Sequence, residues 1–258
     1  MLHIIQRRPL LCFYLLAFAI TWGVWLPAAA ATAGWLPFMI PRALDGAAYF
    51  CGPPLAAIIV VAAADGRAGV RTLLGRLLAW RVGAGWYVFA LLWRPALFAV
   101  TLALLAARGI ALAPLDPWDW MASRFLLFTL LGLVAYVGEE IGWRGYALPQ
   151  LQGRMGPIAA SFVVGSVAGL WHLPAFFIAG HPQYGTPIVP FMVWMIALAL
   201  IFTWLFNRTN GSLLPVALLH AAINGTGAAF PPLPLVLDLA ATLVVALVVA
   251  LLGRAAPQ

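Results

Sequence analysis

Two adjacent glutamates, Glu139 and Glu140, are the only glutamates in the chain, and they end an apolar stretch that begins near Phe125. A carboxylate in a lipid-like environment is costly, so such groups are kept mainly where they are paired or take part in chemistry. Two adjacent carboxylates are harder still to explain as packing, because like charges at this distance oppose the ionisation of both. The pair therefore indicates an embedded acid/base site.

Helical spacing divides the two glutamates. Glu140 and Arg144 are four residues apart, so on a helix they share a face and can form an ion pair. Glu139 is rotated from Glu140 by about 100°. We therefore expect Glu140 to be structural, held by Arg144, while Glu139 faces a cavity.

The apolar stretches also contain two notable histidines, His172 and His220, and Asn224 follows His220 by four residues on the same helical face. Glu139 and Glu140 precede the turn near Gly153–Gly156 by about as many residues as His172 follows it. His220 begins about ten residues after Asn210-Gly211, or roughly 15 Å at 1.5 Å per helical residue. These groups are predicted to converge on one cavity that opens to the cytoplasm.

Two chemistries suit these side chains, and both remain open at this point. In peptide hydrolysis a glutamate activates water, and His220 and Asn224 donate hydrogen bonds to the oxyanion. Alternatively, His172, His220 and a glutamate hold a zinc ion that keeps a coordination position for water. The cofactor prediction is therefore either none or a divalent metal such as zinc.

The composition is that of a membrane protein. Of 258 residues, 65% are hydrophobic and 8% are charged, against about 25% charged in an average soluble domain. The net charge of +7 comes entirely from arginine, which in such a chain sets topology and meets lipid headgroups rather than nucleic acid. We expect Cys12 and Cys51 to be small buried apolar residues, and His3 and His181 to lie at the surface.

The sequence predicts an all-α fold, a single membrane domain over 1–258 with about eight transmembrane helices. Each span needs about 20 mostly apolar residues. The predicted spans are 10–31, 46–64, 83–107, 119–143, 157–179, 187–206, 212–229 and 233–252.

Arginines predict the orientation. Most fall at one end of the spans: Arg7, Arg8, Arg67, Arg71, Arg76, Arg81, Arg154, Arg208 and Arg254. That end should be cytoplasmic, which predicts a multi-pass protein of the cell (inner) membrane with both termini inside. Arg94 and Asp238 lie within spans, where snorkelling, pairing or an interfacial position would accommodate them.

Three motifs resemble a known family, the CAAX-processing and bacteriocin-processing (CPBP) intramembrane proteases. Glu139-Glu140-Ile-Gly-Trp-Arg144 is similar to its E-E-x-x-x-R motif, and His220-Ala-Ala-Ile-Asn224 to its H-x-x-x-N motif. His172 resembles the histidine of F-x-x-x-H, although Ala168 replaces the phenylalanine. The motifs occur in the family's order, with a catalytic core at 120–230.

The resemblance implies an endopeptidase that acts on a peptide or a lipidated protein, as the related prenyl-protein protease does when it removes the last three residues of a CAAX protein. It implies a catalytic set of Glu139, Glu140, His172, His220 and Asn224. Within that set Glu139 is the base, while Glu140 is locked by Arg144. The expected partners are such a substrate and membrane lipids, with no nucleic acid.

Two other classes remain as alternatives. Embedded Glu, His and Asn side chains also relay protons or bind ions in transporters, although no inverted repeat with paired broken helices is visible. A non-catalytic scaffold, such as an immunity factor, could keep the same fold.

Overall fold

The computed structural model describes residues 2–110 and 114–254, so Met1, residues 111–113 and residues 255–258 of the predicted domain lie outside it. Regular structure in the described ranges is helical throughout, with no strand, which confirms the predicted all-α fold. The α-helices are α1 (Leu2–Arg7), α2 (Pro9–Thr32), α3 (Arg42–Gly75), α4 (Ala84–Ala107), α5 (Trp118–Glu140), α6 (Leu148–Trp171), α7 (Ile188–Arg208), α8 (Leu214–Ala229) and α9 (Leu235–Arg254). A π-helical segment (Ile141–Ala147) joins α5 to α6, and a short 3₁₀ helix (Leu173–Phe177) follows α6.

Helices α2 to α9 correspond to the eight predicted spans. Among the described residues, six stretches are long and apolar enough to cross a membrane, and one of them, Trp118–Phe177, contains both α5 and α6. Helix α8 is apolar but has only 16 residues, which gives a length of about 24 Å against a hydrocarbon core of about 30 Å. At this length α8 alone is shorter than the hydrocarbon core.

The predicted burial of Cys51 was wrong, because Cys51 is exposed on α3. Two predicted boundaries were also wrong. The fifth span was expected to continue as a helix to residue 179, but α6 ends at Trp171. Pro174 disfavours helical backbone at the residue before it and cannot continue an α-helix, so His172 becomes the capping residue of α6. The fourth span was expected to be regular to residue 143, but α5 ends at Glu140 and the wider π turn begins.

Contacts between helix ends bring several arginine-bearing segments to one end of the bundle, called here the arginine-rich end. The backbone N–H of Leu213 donates to the Arg76 carbonyl at 3.0 Å, which joins the segments after α3 and α7. Asn207 on α7 donates to Gln152 on α6 at 2.7 Å. Helix α6 breaks after its first turns at Gly156, where φ is 77°.

The opposite end is formed by other loops. The backbone N–H of Ala179, after the 3₁₀ helix, donates to the Thr32 hydroxyl at the end of α2, at 3.2 Å. At the same end, Nη2 of Arg124 on α5 donates to the Ala228 carbonyl of α8 at 2.6 Å.

Glycines allow helices to approach the two glutamates closely. A Cβ at Gly142 would lie 2.6 Å from the Pro53 side chain of α3, and one at Gly138 would lie 2.9 Å from the Phe50 carbonyl. A Cβ at Gly225 of α8 would similarly collide with Thr129 of α5. Small residues of this kind permit tight packing of membrane helices, and here they enclose the end of α5.

The arrangement of the arginines predicts the topology of the bundle. Reporter fusions placed in the 76–83 and 209–213 segments should show cytoplasmic activity, and fusions in the 33–41 and 178–187 segments should show exposure on the other side. A cytoplasmic location for the 178–187 segment would invert the predicted orientation.

Candidate active site

Glu140 is fully buried at the end of α5 and is held from two sides. Its Oε1 lies 3.0 Å from Arg144 Nη1, the pairing predicted from their spacing, and 2.7 Å from His220 Nδ1. Because a carboxylate oxygen accepts here, we assign a hydrogen to Nδ1 of His220. Glu140 therefore ties the π-helical segment to α8.

The π-helical segment Ile141–Ala147 is buried along its whole length. This segment contains Arg144, and Cζ of Arg144 lies 4.1 Å from the centroid of the Phe202 ring on α7. The guanidinium thus combines a buried ion pair with a cation–π contact. Single π turns inside helices are frequent at functional sites.

Aromatic rings fix the orientation of His220. Tyr136, one turn before the glutamates on α5, stacks on the imidazole with centroids 4.2 Å apart and planes at 12°. Phe202 meets the same imidazole edge-on at 5.6 Å. With Nδ1 bonded to Glu140, these contacts leave Nε2 as the nitrogen of His220 that can meet a ligand.

Glu139 has a different environment from Glu140. It is 2% exposed, and its buried Oε1 has no hydrogen-bond partner among the described residues. It lines a small cavity of about 60 Å³ together with His172, His220 and Asn224. That volume is enough for a few water molecules, so an unpaired carboxylate oxygen and space for water occur together.

His172 is 5% exposed and sits where α6 ends. Its Nδ1 is 2.8 Å from the Ala168 carbonyl, which can only accept, so Nδ1 donates and Nε2 remains for the cavity. Ala168 occupies the position where the motif has phenylalanine. Because His172 bonds to the backbone there, this contact does not depend on the side chain at 168.

Asn224 is exposed on α8, one turn beyond His220. Its Nδ2 donates to the His220 carbonyl at 3.1 Å, which leaves the second amide hydrogen available. Asn224 lines the small cavity and also two larger, open cavities, of about 760 Å³ and about 320 Å³. Asn224 is therefore part of the lining of all three cavities.

Of the predicted catalytic residues, Glu139, His172, His220 and Asn224 line one cavity, while Glu140 lies behind it and contacts His220. The cavity was expected to open at the arginine-rich end, but its other lining residues do not lie there. Gln183, from the loop before α7, lines it, as does Tyr49 of α3. Both also line the cavity of about 320 Å³ beneath the 178–187 loop, at the opposite end. The 16-residue α8 and the loop after the 3₁₀ helix place the openings there.

Sequence reasoning missed several residues around the cavity. Tyr136 shares a helical face with the glutamates, a signal that could have been used, whereas nothing local marks Tyr49 or Gln183. His181, expected at the surface, is only partly exposed: its Nδ1 lies 2.6 Å from Gln183 Oε1 and its ring centroid 5.1 Å from that of Trp25. Burial lowers the pKa of His181.

The donor set does not fit a catalytic zinc site. No group of three or more His, Cys, Asp or Glu side chains within 2–110 and 114–254 is arranged to hold a metal ion, whereas catalytic zinc usually has three protein ligands. His172 and His220, the predicted ligands, each bond to a protein oxygen through Nδ1, an arrangement that leaves only Nε2 of each ring available to a metal.

Comparison with known proteins places this site in a family context. The sequence model described as type II CAAX prenyl endopeptidase Rce1-like matches residues 120–226. A protein named CAAX prenyl protease 2, from Methanococcus maripaludis, is 32% identical over 114 residues, which cover 41% of this chain and 40% of that protein. The chain thus matches about two fifths of the length of this relative. Glu139, His172, His220 and Asn224 all lie inside the matched residues 120–226. The match confirms the resemblance inferred from the three motifs, because it is to a CAAX-type endopeptidase model and it covers the segment that carries them.

Proposed function

We propose that this protein is a membrane endopeptidase of the CAAX-protease type, in which Glu139 activates a water molecule for attack on a peptide bond. The observation that carries the proposal is the contrast between the two glutamates. Glu140 accepts from Arg144 and His220 and is not among the residues that line the small cavity. Glu139 has no such ion pair among the described residues, and it lines that cavity, which is large enough for water.

The proposed reaction uses one water and no other reactant. Glu139 takes a proton from water as the oxygen attacks the carbonyl carbon of the scissile bond. The carbon–nitrogen bond then breaks, and the proton passes from Glu139 to the leaving nitrogen. The products are a carboxylic acid and an amine.

In this scheme Asn224 is the main hydrogen-bond donor to the oxyanion. Its side-chain amide keeps a free N–H at the cavity. His220, proposed from the sequence as a second donor, has its Nδ1 hydrogen on Glu140, so Nε2 donates only when the ring is doubly protonated. His172, with Nε2 toward the cavity, positions water or substrate.

The substrate class follows from the cavity of about 760 Å³, called here the trough. Its walls are mostly apolar, and three of its residues also line the small cavity: Trp194, Ile223 and Asn224. A strongly apolar peptide, or a peptide bearing a lipid chain, suits such a surface at membrane depth. We accordingly propose a lipidated or membrane-associated peptide substrate at the cell membrane.

The proposed roles predict opposite outcomes for the two glutamates. Glu139→Gln keeps side-chain volume but removes the base, so turnover should fall by at least about 10²-fold while binding of a farnesylated peptide is retained. Cleavage of that peptide by protein purified in detergent measures the rate. Near-normal cleavage by Glu139→Gln, with loss in Glu140→Gln, would reverse the assignment. Retained cleavage in both variants would remove the glutamates from the mechanism.

Arg144 is predicted to act through stability. Its removal leaves Glu140 buried without its ion-pair partner, which should cost about 3–5 kcal/mol and lower the unfolding midpoint of Arg144→Ala in detergent. Arg71, exposed on α3, provides the control, and Arg71→Ala should unfold like the parent protein. Equal midpoints for the two variants would argue against a structural ion pair at Glu140.

The oxyanion-hole mechanism and a zinc mechanism predict different results for Asn224→Ala and for zinc removal. If the Asn224 amide stabilises the oxyanion, Asn224→Ala should lower the rate by about 10²–10³-fold. Asn207→Ala, near the arginine-rich end, should leave the rate unchanged.

Activity should also survive treatment with a strong zinc chelator. Stoichiometric zinc in active protein, with loss on chelation and on His220→Ala, would favour the metal mechanism instead.

A further inference from the structure

An arginine outside the family segment lies in the wall of the trough. Arg94 on α4 directs its Nη2 to Asp238 on α9, at 2.6 Å from Oδ1 and 2.8 Å from Oδ2. Its Nη1 lies 3.4 Å from the Thr242 hydroxyl. The two charged side chains remain 13% and 20% exposed, so the pair forms part of the trough surface.

The rest of the trough cannot neutralise an anion. Among the residues that line it, Arg94 and Asp238 are the charged ones, and Arg94 is the only cation. Most of the remaining lining is aromatic or aliphatic: Phe50, Phe98, Phe128, Leu131, Ile223, Phe230 and Leu233. A carboxylate that enters an apolar cavity at this depth needs a cationic partner, and Arg94 is the one the trough provides.

The guanidinium retains donors for a second carboxylate. Arginine has five N–H groups in a planar fork, and no hydrogen bond from Nε of Arg94 to a described residue is present. Helix α9 begins at Leu235, two residues after the trough residue Leu233, so the positive end of its dipole also favours an anion nearby.

We propose that Arg94 binds the C-terminal carboxylate of the peptide substrate, and that Asp238 holds the guanidinium in place when the trough is empty. This specificity role rests on the proposed peptidase function, because Arg94 and Asn224 line the same trough. A peptide whose scissile bond lies at Asn224 and whose chain ends within the trough brings its terminal carboxylate to Arg94.

The test compares two forms of one peptide, a fluorescent farnesylated peptide with either a free carboxylate or a carboxamide at its C-terminus. Binding is measured in detergent with Glu139→Gln protein, so that cleavage does not interfere. The free acid should bind at least about tenfold more tightly than the amide, as expected for a charge-assisted hydrogen bond. Adding Arg94→Gln should remove this difference and leave the affinity for the amide unchanged.

Two further variants separate recognition from structural support. Asp238→Asn removes the competing charge and should tighten binding of the acid only, whereas Arg71→Gln should change neither affinity. A purely structural ion pair would make Arg94→Gln and Asp238→Asn weaken both peptides equally, and that result would overturn the proposal. Equal binding of acid and amide by protein that retains Arg94 would also overturn it.

Cleavage by protein that retains Glu139, measured in parallel, separates this inference from the proposed function. A preserved preference for the acid without any cleavage would reject the peptidase proposal and support the site at Arg94. Normal cleavage of both peptides without a preference would reject the Arg94 site alone.

Discussion

The burial of two adjacent carboxylates is the constraint on which the rest of the site depends. A buried carboxylate is tolerated when a charge and hydrogen bonds compensate it, and costly otherwise. Glu140 is compensated by Arg144 and His220 through contacts of 3.0 and 2.7 Å. Glu140 lies at the end of α5, and its partners are Arg144 of the π-helical segment and His220 of α8. Because Arg144 also contacts Phe202 of α7, the contacts that compensate the charge of Glu140 also fix the packing of α5, α7 and α8. Glu139, which has no ion pair of its own among the described residues, can then lie beside the cavity, since the contacts of Glu140 hold the end of α5 in place.

Close backbone packing makes this compensation possible. Gly138 and Gly142 flank the glutamates and lie against α3 without side chains, so water is excluded from the face opposite the cavity. The π turn displaces Arg144 relative to a regular helix yet keeps its contact with Glu140. Together these features confine solvent access to the cavity side, where Asn224 is exposed.

Sequence reasoning predicted the parts of this arrangement that depend on local spacing or on depth. The i, i+4 relation anticipated the Glu140–Arg144 contact, and counting residues from the turns brought His172 and His220 to the same level as the glutamates. The hydrogen bond between His220 and Glu140 links residues 80 positions apart. The helical periodicity of the sequence does not predict which of the two adjacent glutamates accepts this hydrogen bond. Tyr49 is likewise brought to the site only by the packing of α3. Helical patterns determine faces and depths, whereas partners across helices depend on the assembled bundle.

The two ends of the bundle differ in a way that bears on how a substrate enters. Most arginines gather at one end, and the cavities that contain Asn224 lie toward the other, below the 178–187 loop and beside the shortened α8. If the arginine-rich end is cytoplasmic, a substrate reaches the glutamates from the lipid or from the opposite leaflet. In either case the trough is entered at membrane depth, where charged groups are poorly solvated. A substrate anchored by an apolar chain meets that condition, and its remaining charge must then be matched by the protein. The paired Arg94 and Asp238 are consistent with this requirement, because a cation already held in place by a carboxylate can contact a second anion without first being desolvated.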